Sequence, residues 1–192
     1  MLRNIDAVLM ASGFSRRFGA DNKLLQSVGG RPLALHTLEL VCSLPFRVVH
    51  FVAADAKVML LAEGLPVQIH HNEQPGRGQC ESVRLGTLHS DADYYIFFPC
   101  DQPFLDAETV LAVCEHAAPG KIVFPAHEGR PASPNLFSKV FRDELLSLGD
   151  GENARVIKNR HPDALIRVPV ADGRILTDID TLEDLKEQGI IK

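Results

Sequence analysis

The sequence predicts an α/β fold, a mainly parallel sheet with helices packed on both faces. Two observations carry that expectation. Short apolar, β-branched runs alternate with segments whose apolar residues recur at helical spacing, the rhythm of βαβ units. Four of the strand-like runs are also followed at once by glycine and polar residues, and open α/β sheets bind their ligands just beyond the carboxyl ends of their strands. The 192 residues, with 45% hydrophobic and 23% charged, fit a single domain (1–192) able to bury a sizeable core.

Taken in chain order, Ile5-Asp6-Ala7-Val8-Leu9-Met10 reads as a buried first strand. Residues 33–44 space their apolar side chains as a helix does, and 47–53 (Arg-Val-Val-His-Phe-Val-Ala) return as a strand. A helix over 55–63 leads to a short strand over 67–71, then a helix over 78–88. Tyr94-Tyr95-Ile96-Phe97-Phe98 is the most strand-like segment, followed by a helix over 106–117 and a strand over 122–125. Beyond residue 126 the rhythm breaks. A Gly/Pro-rich loop over 127–134 precedes helices near 138–148 and 152–159, a strand over 164–170 and a closing helix from Thr181.

A net charge of −5 argues against a basic nucleic-acid surface, though not against a local cationic pocket for phosphates. Cys42, Cys80, Cys100 and Cys114 form no CxxC pair and read as free thiols of a reducing compartment. The first residues lack the charged-then-apolar layout of a signal peptide, and no apolar run approaches the ~18 residues of a membrane span. The expectation is a cytoplasmic protein without nucleic-acid or membrane partners.

The first strand runs into Ala11-Ser12-Gly13-Phe14-Ser15-Arg16-Arg17-Phe18-Gly19, with Lys23 beyond. Small residues at 11–13 let backbone N–H groups approach a phosphate or base, and Arg17 and Lys23 add positive charge at the same edge. The spacing matches neither a dinucleotide GxGxxG nor a GxxxxGK[ST] phosphate loop. After the third strand comes Asn72-Glu73-Gln74-Pro75-Gly76-Arg77-Gly78-Gln79-Cys80-Glu81-Ser82, where Gln79 and Ser82 can hydrogen-bond a base edge or ribose. Ser82 reads equally as a first-turn helix residue.

Asp101, in Pro99-Cys100-Asp101-Gln102-Pro103, follows the most apolar strand. It suits either a hard-cation ligand such as one for Mg²⁺ or a turn aspartate before proline. Near the end, Thr181 with Asp184 resembles a helix capping box, which leaves Asp178 and Asp180 unexplained; one of them can supply a second metal carboxylate. Adjacent His70 and His71 in an extended segment face opposite ways and do not make a metal site.

These segments, in this order, resemble the MobA-like nucleotidyltransferases, and most closely the molybdenum cofactor cytidylyltransferases. The family's opening LAAGxSxRMGxxK is similar to Met10-Ala11-Ser12-Gly13-Phe14-Ser15-Arg16-Arg17-Phe18-Gly19 with Lys23, the lysine standing one residue late. Asn72, Gly78, Ser82 and Gly86 match its next segment, Cys100-Asp101-Gln102-Pro103 its GDQP, and Asp178-Ile179-Asp180-Thr181-Leu182-Glu183-Asp184-Leu185 its DIDTPEDL. Gly129-Arg130-Pro131-Ala132-Ser133-Pro134-Asn135-Leu136-Phe137 resembles the acceptor segment, with Ser133 where many such cytidylyltransferases have His.

The resemblance implies a three-layer α/β/α, Rossmann-like nucleotidyltransferase fold with a mixed, mainly parallel sheet. It implies an Mg²⁺-dependent transfer of CMP from CTP to the terminal phosphate of molybdopterin, with release of pyrophosphate. Arg17, Lys23 and Asp101 would be catalytic, and Ala11, Ser12, Gly13, Asn72, Gln79 and Ser82 would bind the nucleotide. Asp101 with Asp180 or Asp178 would hold the metal, and Arg130 and Ser133 would meet the acceptor. CTP is favoured over GTP because Ser12 stands where guanylyl enzymes tend to have Gly, narrowing the room for a purine. Alternatives are a guanylyltransferase, a small-acceptor cytidylyltransferase of the same fold such as that of isoprenoid precursor synthesis, and a non-catalytic cofactor chaperone serving a client molybdoenzyme.

Overall fold

The computed structural model describes residues 2–13, 22–181 and 183–184. Its centre is a sheet built from β1 (Ile5–Ala11), β4 (Val48–Ala53), β5 (Gln68–His71), β6 (Tyr94–Pro99), β7 (Ile122–His127), β8 (Arg130–Pro131), β9 (Asn135–Ser138) and β10 (Leu165–Pro169). The strands lie in the order β10-β7-β9-β6-β1-β4-β5, with β8 paired to β7. A two-stranded ribbon of β2 (Ser27–Val28) and β3 (Arg31–Pro32) stands apart. The helices are α1 (Leu33–Ser43), α2 (Ala56–Leu60), α3 (Gln79–Leu88), α4 (Ala107–Glu115), α5 (Arg142–Leu146) and α6 (Arg155–Arg160).

Strand alternation splits the core into two layers. Ala7, Leu9, Phe51, Ala53, Ile96, Phe98 and Leu136 face one side, where Ala34, Leu38 and Val41 of α1, Val58 of α2 and Val110 and Val113 of α4 meet them. Val8, Val52, Tyr95, Phe97, Phe124 and Phe137 face the other, against Val83 of α3, Leu145 of α5 and Ile157 of α6. The result is the three-layer α/β/α arrangement. Gly86 lets α3 sit directly on β1, since a Cβ there would stand 2.3 Å from a Val8 methyl.

The sequence expectation fails in one consequential place. Residues 135–138, which fall between the expected loop over 127–134 and the helix expected near 138–148, form β9, which lies between β6 and β7 and runs antiparallel to both. The helix expected near 138–148 shrinks to α5 after a 3₁₀ turn at Lys139–Phe141. The two-residue strands β2, β3 and β8 were also not expected; elsewhere the differences are at boundaries, as where α6 starts at Arg155 rather than 152. The closing helix lies almost wholly outside the described residues. Because β9 is reversed, its first residue, Asn135, pairs with Phe97 and lies toward the edge where β1, β4, β6 and β7 end. No helix among the described residues is long and apolar enough to cross a membrane.

Candidate functional site

That sheet edge carries two cavities. The first, about 210 Å³, is lined by Ser12 and Gly13 after β1, Lys23 and Leu24, Gly78, Gln79 and Ser82 at the start of α3, and Cys100 and Asp101 after β6, among others. Lys23 is placed by a 3₁₀ turn at Lys23–Leu25. Asn22 caps that turn, its Oδ1 accepting from Leu24 N at 3.0 Å, and Leu24 is buried beneath. The ammonium projects across the sheet edge and donates to Asp101 Oδ2 at 2.7 Å, Asp180 Oδ1 at 2.8 Å and the Ile179 carbonyl at 3.1 Å. Burial alone would lower the Lys23 pKa, but the two carboxylates outweigh it and raise it.

The segment bearing Asp178 and Asp180 docks by its backbone. Ile179 is fully buried beside Val28 and Leu33, and its N–H donates to the Asp101 carbonyl at 2.9 Å. Gln102 braces the same region, its amide donating to the Leu176 carbonyl at 3.2 Å and its own carbonyl accepting from Thr37 Oγ1 at 3.2 Å.

A second cavity, of about 590 Å³, has Asp178 in its lining, close enough to Asp101 of the first for the two carboxylates to repel each other. Its lining includes Ser133, Asn135, Asn153, Arg155, Lys158 and Arg167, with Phe124 as its largest apolar member. Lys158 donates to Asn135 Oδ1 at 2.7 Å and sits 4.4 Å from the centre of the Phe124 ring. Burial, then the neighbouring Arg155 and Arg167, lower its pKa to about 8. The Asp178 carboxyl is pushed up to about 6, first by the protein packed around it and then by Asp101 and Asp180, though its surface remains accessible to water.

The expected site residues divide. Ser12, Gly13, Lys23, Gln79, Ser82 and Asp101 share the smaller cavity; Asp180 touches it through Lys23; Ser133 and Asp178 line the larger one. Arg17 lies outside the described residues. Ala11 is buried within β1 and is not part of the lining. Asn72 stands outside the lining as well; its Oδ1 accepts from Gln74 N at 2.9 Å, so it shapes the turn before α3. Arg130 is exposed in the β7–β8 hairpin, outside both cavities. Asn135, Asn153, Arg155, Lys158 and Arg167 were not singled out from the sequence, although Asn135 stands within the acceptor-like segment and the spacing of Arg155 and Lys158 puts both on one helix face.

The carboxylates suit a hard cation. Asp101 Oδ1 is buried and has no hydrogen-bond partner among the described residues, and Asp180 lies on the same lysine. No cluster of three or more His, Cys, Asp or Glu residues converges for a metal among the described residues.

Comparison with known proteins places this edge in context. The chain is 26% identical over 148 residues, 74% of it and 71% of the relative, to a molybdenum cofactor guanylyltransferase of Vibrio cholerae. It is 25% identical to the Ralstonia pickettii protein of the same name over 199 residues, covering 96% and 95% of the two chains. The expectation of a cytidylyl enzyme is not supported by these names. The Ser12 argument for it weakens too, because the Ser12 hydroxyl is turned toward β4, donating to the Val52 carbonyl at 3.3 Å. Among solved structures, a nucleotidyl transferase of Methanothermobacter thermautotroptrophicus superposes with a TM-score of 0.85 at 20% identity over 96% of this chain and 95% of that one. A manganese complex of Rv0371C from Mycobacterium tuberculosis gives 0.73, also at 20% identity, over 96% and 97%. Residues 7–165, which take in the strand-end motifs from Ser12 to Asp101 and the cationic face of α6, match the MobA-like NTP transferase domain, and this chain belongs to that family as one of its nucleotidyltransferases.

Proposed function

We propose that the chain moves a nucleoside monophosphate, GMP in the first instance, from its triphosphate to the terminal phosphate of a molybdopterin-type acceptor. The observation that carries the reading is a pair of cavities whose linings carry mutually repelling carboxylates. The smaller holds Lys23 and Asp101, the larger holds three cationic side chains and Asp178, and Asp101 helps to raise the Asp178 pKa. Such a layout suits a reaction between two polyanions.

In this reading an acceptor phosphate oxygen attacks the α-phosphorus, a P–O bond forms there, and the bond to the β-phosphate breaks to release pyrophosphate. The protein has mainly to position and neutralise. Gln79 and Ser82, at the uncapped start of α3, take the base and ribose. Lys23 faces the α-phosphate, and Arg17 is assigned to the leaving phosphates on its sequence position alone. Arg155, Lys158 and Arg167 hold the acceptor phosphate, with Phe124 beneath as a flat apolar floor. Asp101, with Asp180, would hold Mg²⁺, which when bound supplies charge neutralisation between the two substrates.

Guanosine is put first because of the relatives' names; cytidine is the second reading, favoured by the small size of the nucleotide cavity. The test is a panel of GTP, CTP, ATP and UTP with molybdopterin-type acceptor, following pyrophosphate. Release with GTP foremost is expected. Preference for CTP would overturn the base assignment alone, and no release with any nucleotide would overturn the reading. Lys23→Ala is expected to cut turnover by ~10²–10³ with the fold intact.

A further inference from the structure

We infer that Lys23 and the divalent cation compete for the same two carboxylates, so that the lysine guards the metal site until a nucleoside triphosphate draws it away. The inference rests on the function proposed above for the identity of the nucleotide. Its own basis is the geometry around one nitrogen. Among the described residues, Lys23 Nζ meets oxygens of Asp101, Asp180 and Ile179 within 3.1 Å, all within reach of the ammonium's N–H donors. Lys23 and Asp101 are largely buried, so this pairing is only weakly screened.

The carboxylates that would ligate a divalent cation are thus bound to the ammonium. A second cation among the same oxygens would stand at close range to the first, at a cost that grows as water is excluded. Asp101 is divided between the two roles. Its Oδ2 accepts from Lys23, while its buried Oδ1 accepts from nothing among the described residues. One oxygen is therefore oriented for a cation whose full set of ligands is complete only when Lys23 moves.

Lys23 has somewhere to go. It lines the nucleotide cavity beside Ser12, Gly13 and Gln79, and its four-carbon stem lets the ammonium swing while Leu24 anchors the backbone turn. A triphosphate in that cavity offers stronger anionic oxygens, and moving the ammonium onto them exposes Asp101 and Asp180 to the cation. Metal and nucleotide then bind cooperatively, each raising the other's affinity by the same factor.

Mn²⁺ is the probe, its free concentration read by electron paramagnetic resonance. Without nucleotide, Lys23→Gln is expected to bind Mn²⁺ ~tenfold or more tightly than the unaltered chain, while Lys23→Arg stays weak. Far-UV circular dichroism checks that each variant folds. On the unaltered chain, saturating Mn²⁺ is expected to speed acetylation of Lys23, located by peptide mass spectrometry; this arm needs no variant. Equal Mn²⁺ affinity in the unaltered and Lys23→Gln chains, or Lys23 labelling indifferent to Mn²⁺, overturns the competition. If the unaltered chain still releases pyrophosphate in the nucleotide panel, only the competition falls. If no form binds Mn²⁺ with or without GTP, the metal-dependent function falls with it.

Discussion

Replacing Gly86 by alanine tests how tightly α3, whose start lines the smaller cavity, is seated on the sheet. A methyl at Gly86 would stand 2.3 Å from Val8 Cγ1, 2.8 Å from Cγ2 and 3.1 Å from Cβ. Rotating the valine relieves the γ-carbon contacts but leaves the Cβ contact short. Val8 cannot retreat, because β1 is paired with β4 on one side and β6 on the other. The helix must lift. Overpacking of this kind costs ~1–3 kcal/mol. Against it stands ~1 kcal/mol from the better helix propensity of alanine. A contact as short as 2.3 Å belongs in the upper part of the overpacking range, ~2–3 kcal/mol, so the net loss is about 1–2 kcal/mol, a fall in Tm of about 2–8 °C for a chain of this length. Urea unfolding followed by circular dichroism should show a lower midpoint at unchanged slope. Ser82 lies one turn earlier on the same helix, in the nucleotide cavity, so the KM for the triphosphate should rise as well. A midpoint equal to or above that of the unaltered chain would refute this reasoning, since it would mean that α3 has room to spare over β1.

The remaining predictions address charge. Asp6 is fully buried, and although burial by itself would raise its pKa, hydrogen bonds from His50, Arg47 and Ser90 lower it from 3.8 to about 2. A carboxyl with a depressed folded-state pKa stabilises above its unfolded value, here by roughly 2 kcal/mol, and loses that as pH falls from 3.8 towards 2. Urea midpoints should therefore drop across that window in the unaltered chain and stay flatter in Asp6→Asn; parallel profiles would contradict the assignment. Lys158→Met should raise the acceptor KM by ~10–100-fold, the loss of one charged contact, while the triphosphate KM changes little. In the unaltered chain the acceptor KM should climb as pH passes about 8, where Lys158 loses its charge. Asp101→Asn should abolish metal-dependent pyrophosphate release, and a change confined to KM would argue against a metal-ligand role.

The regular half of the fold was legible because its strands are buried on both faces. Val8, Phe51, Ile96 and Phe97 come from continuous apolar runs that point to a covered sheet, and the helices between them keep their period. β9 was not legible. Four residues behind a proline offer no period, and Leu136 and Phe137, each fully buried on opposite faces, read equally well as the start of a helix. The site divides along the same line. Lys23, Asp101 and Ser82 stand within or beside strand-end segments and were visible as chemistry. Asn72 was visible as a polar residue after a strand, but the turn that its Oδ1 closes before α3 was not, because the sequence does not show which backbone N–H an asparagine accepts from. Arg155, Lys158 and Arg167 were invisible as a group. They come from α6 and β10 and meet only because β10 pairs with β7.

Under the proposed function, the reversed strand also bears on how a chain with a net charge of −5 would hold two polyanions. Overall charge governs long-range attraction, whereas the field within a cleft is set by the few groups that line it. Running β9 against its neighbours returns the chain to the sheet edge at Ser133 and Asn135, and Asn135 then accepts from Lys158 and fixes that ammonium over the Phe124 ring. Had β9 run parallel, Asn135 would lie at the opposite edge and Lys158 would lose this partner. The cations of the larger cavity share its lining with Asp178, whereas Lys23 pairs with Asp101 and Asp180. Under the proposed function each group of positive charge would attract a phosphate chain, and a divalent ion at Asp101 and Asp180 would relieve the repulsion between those chains and the acids.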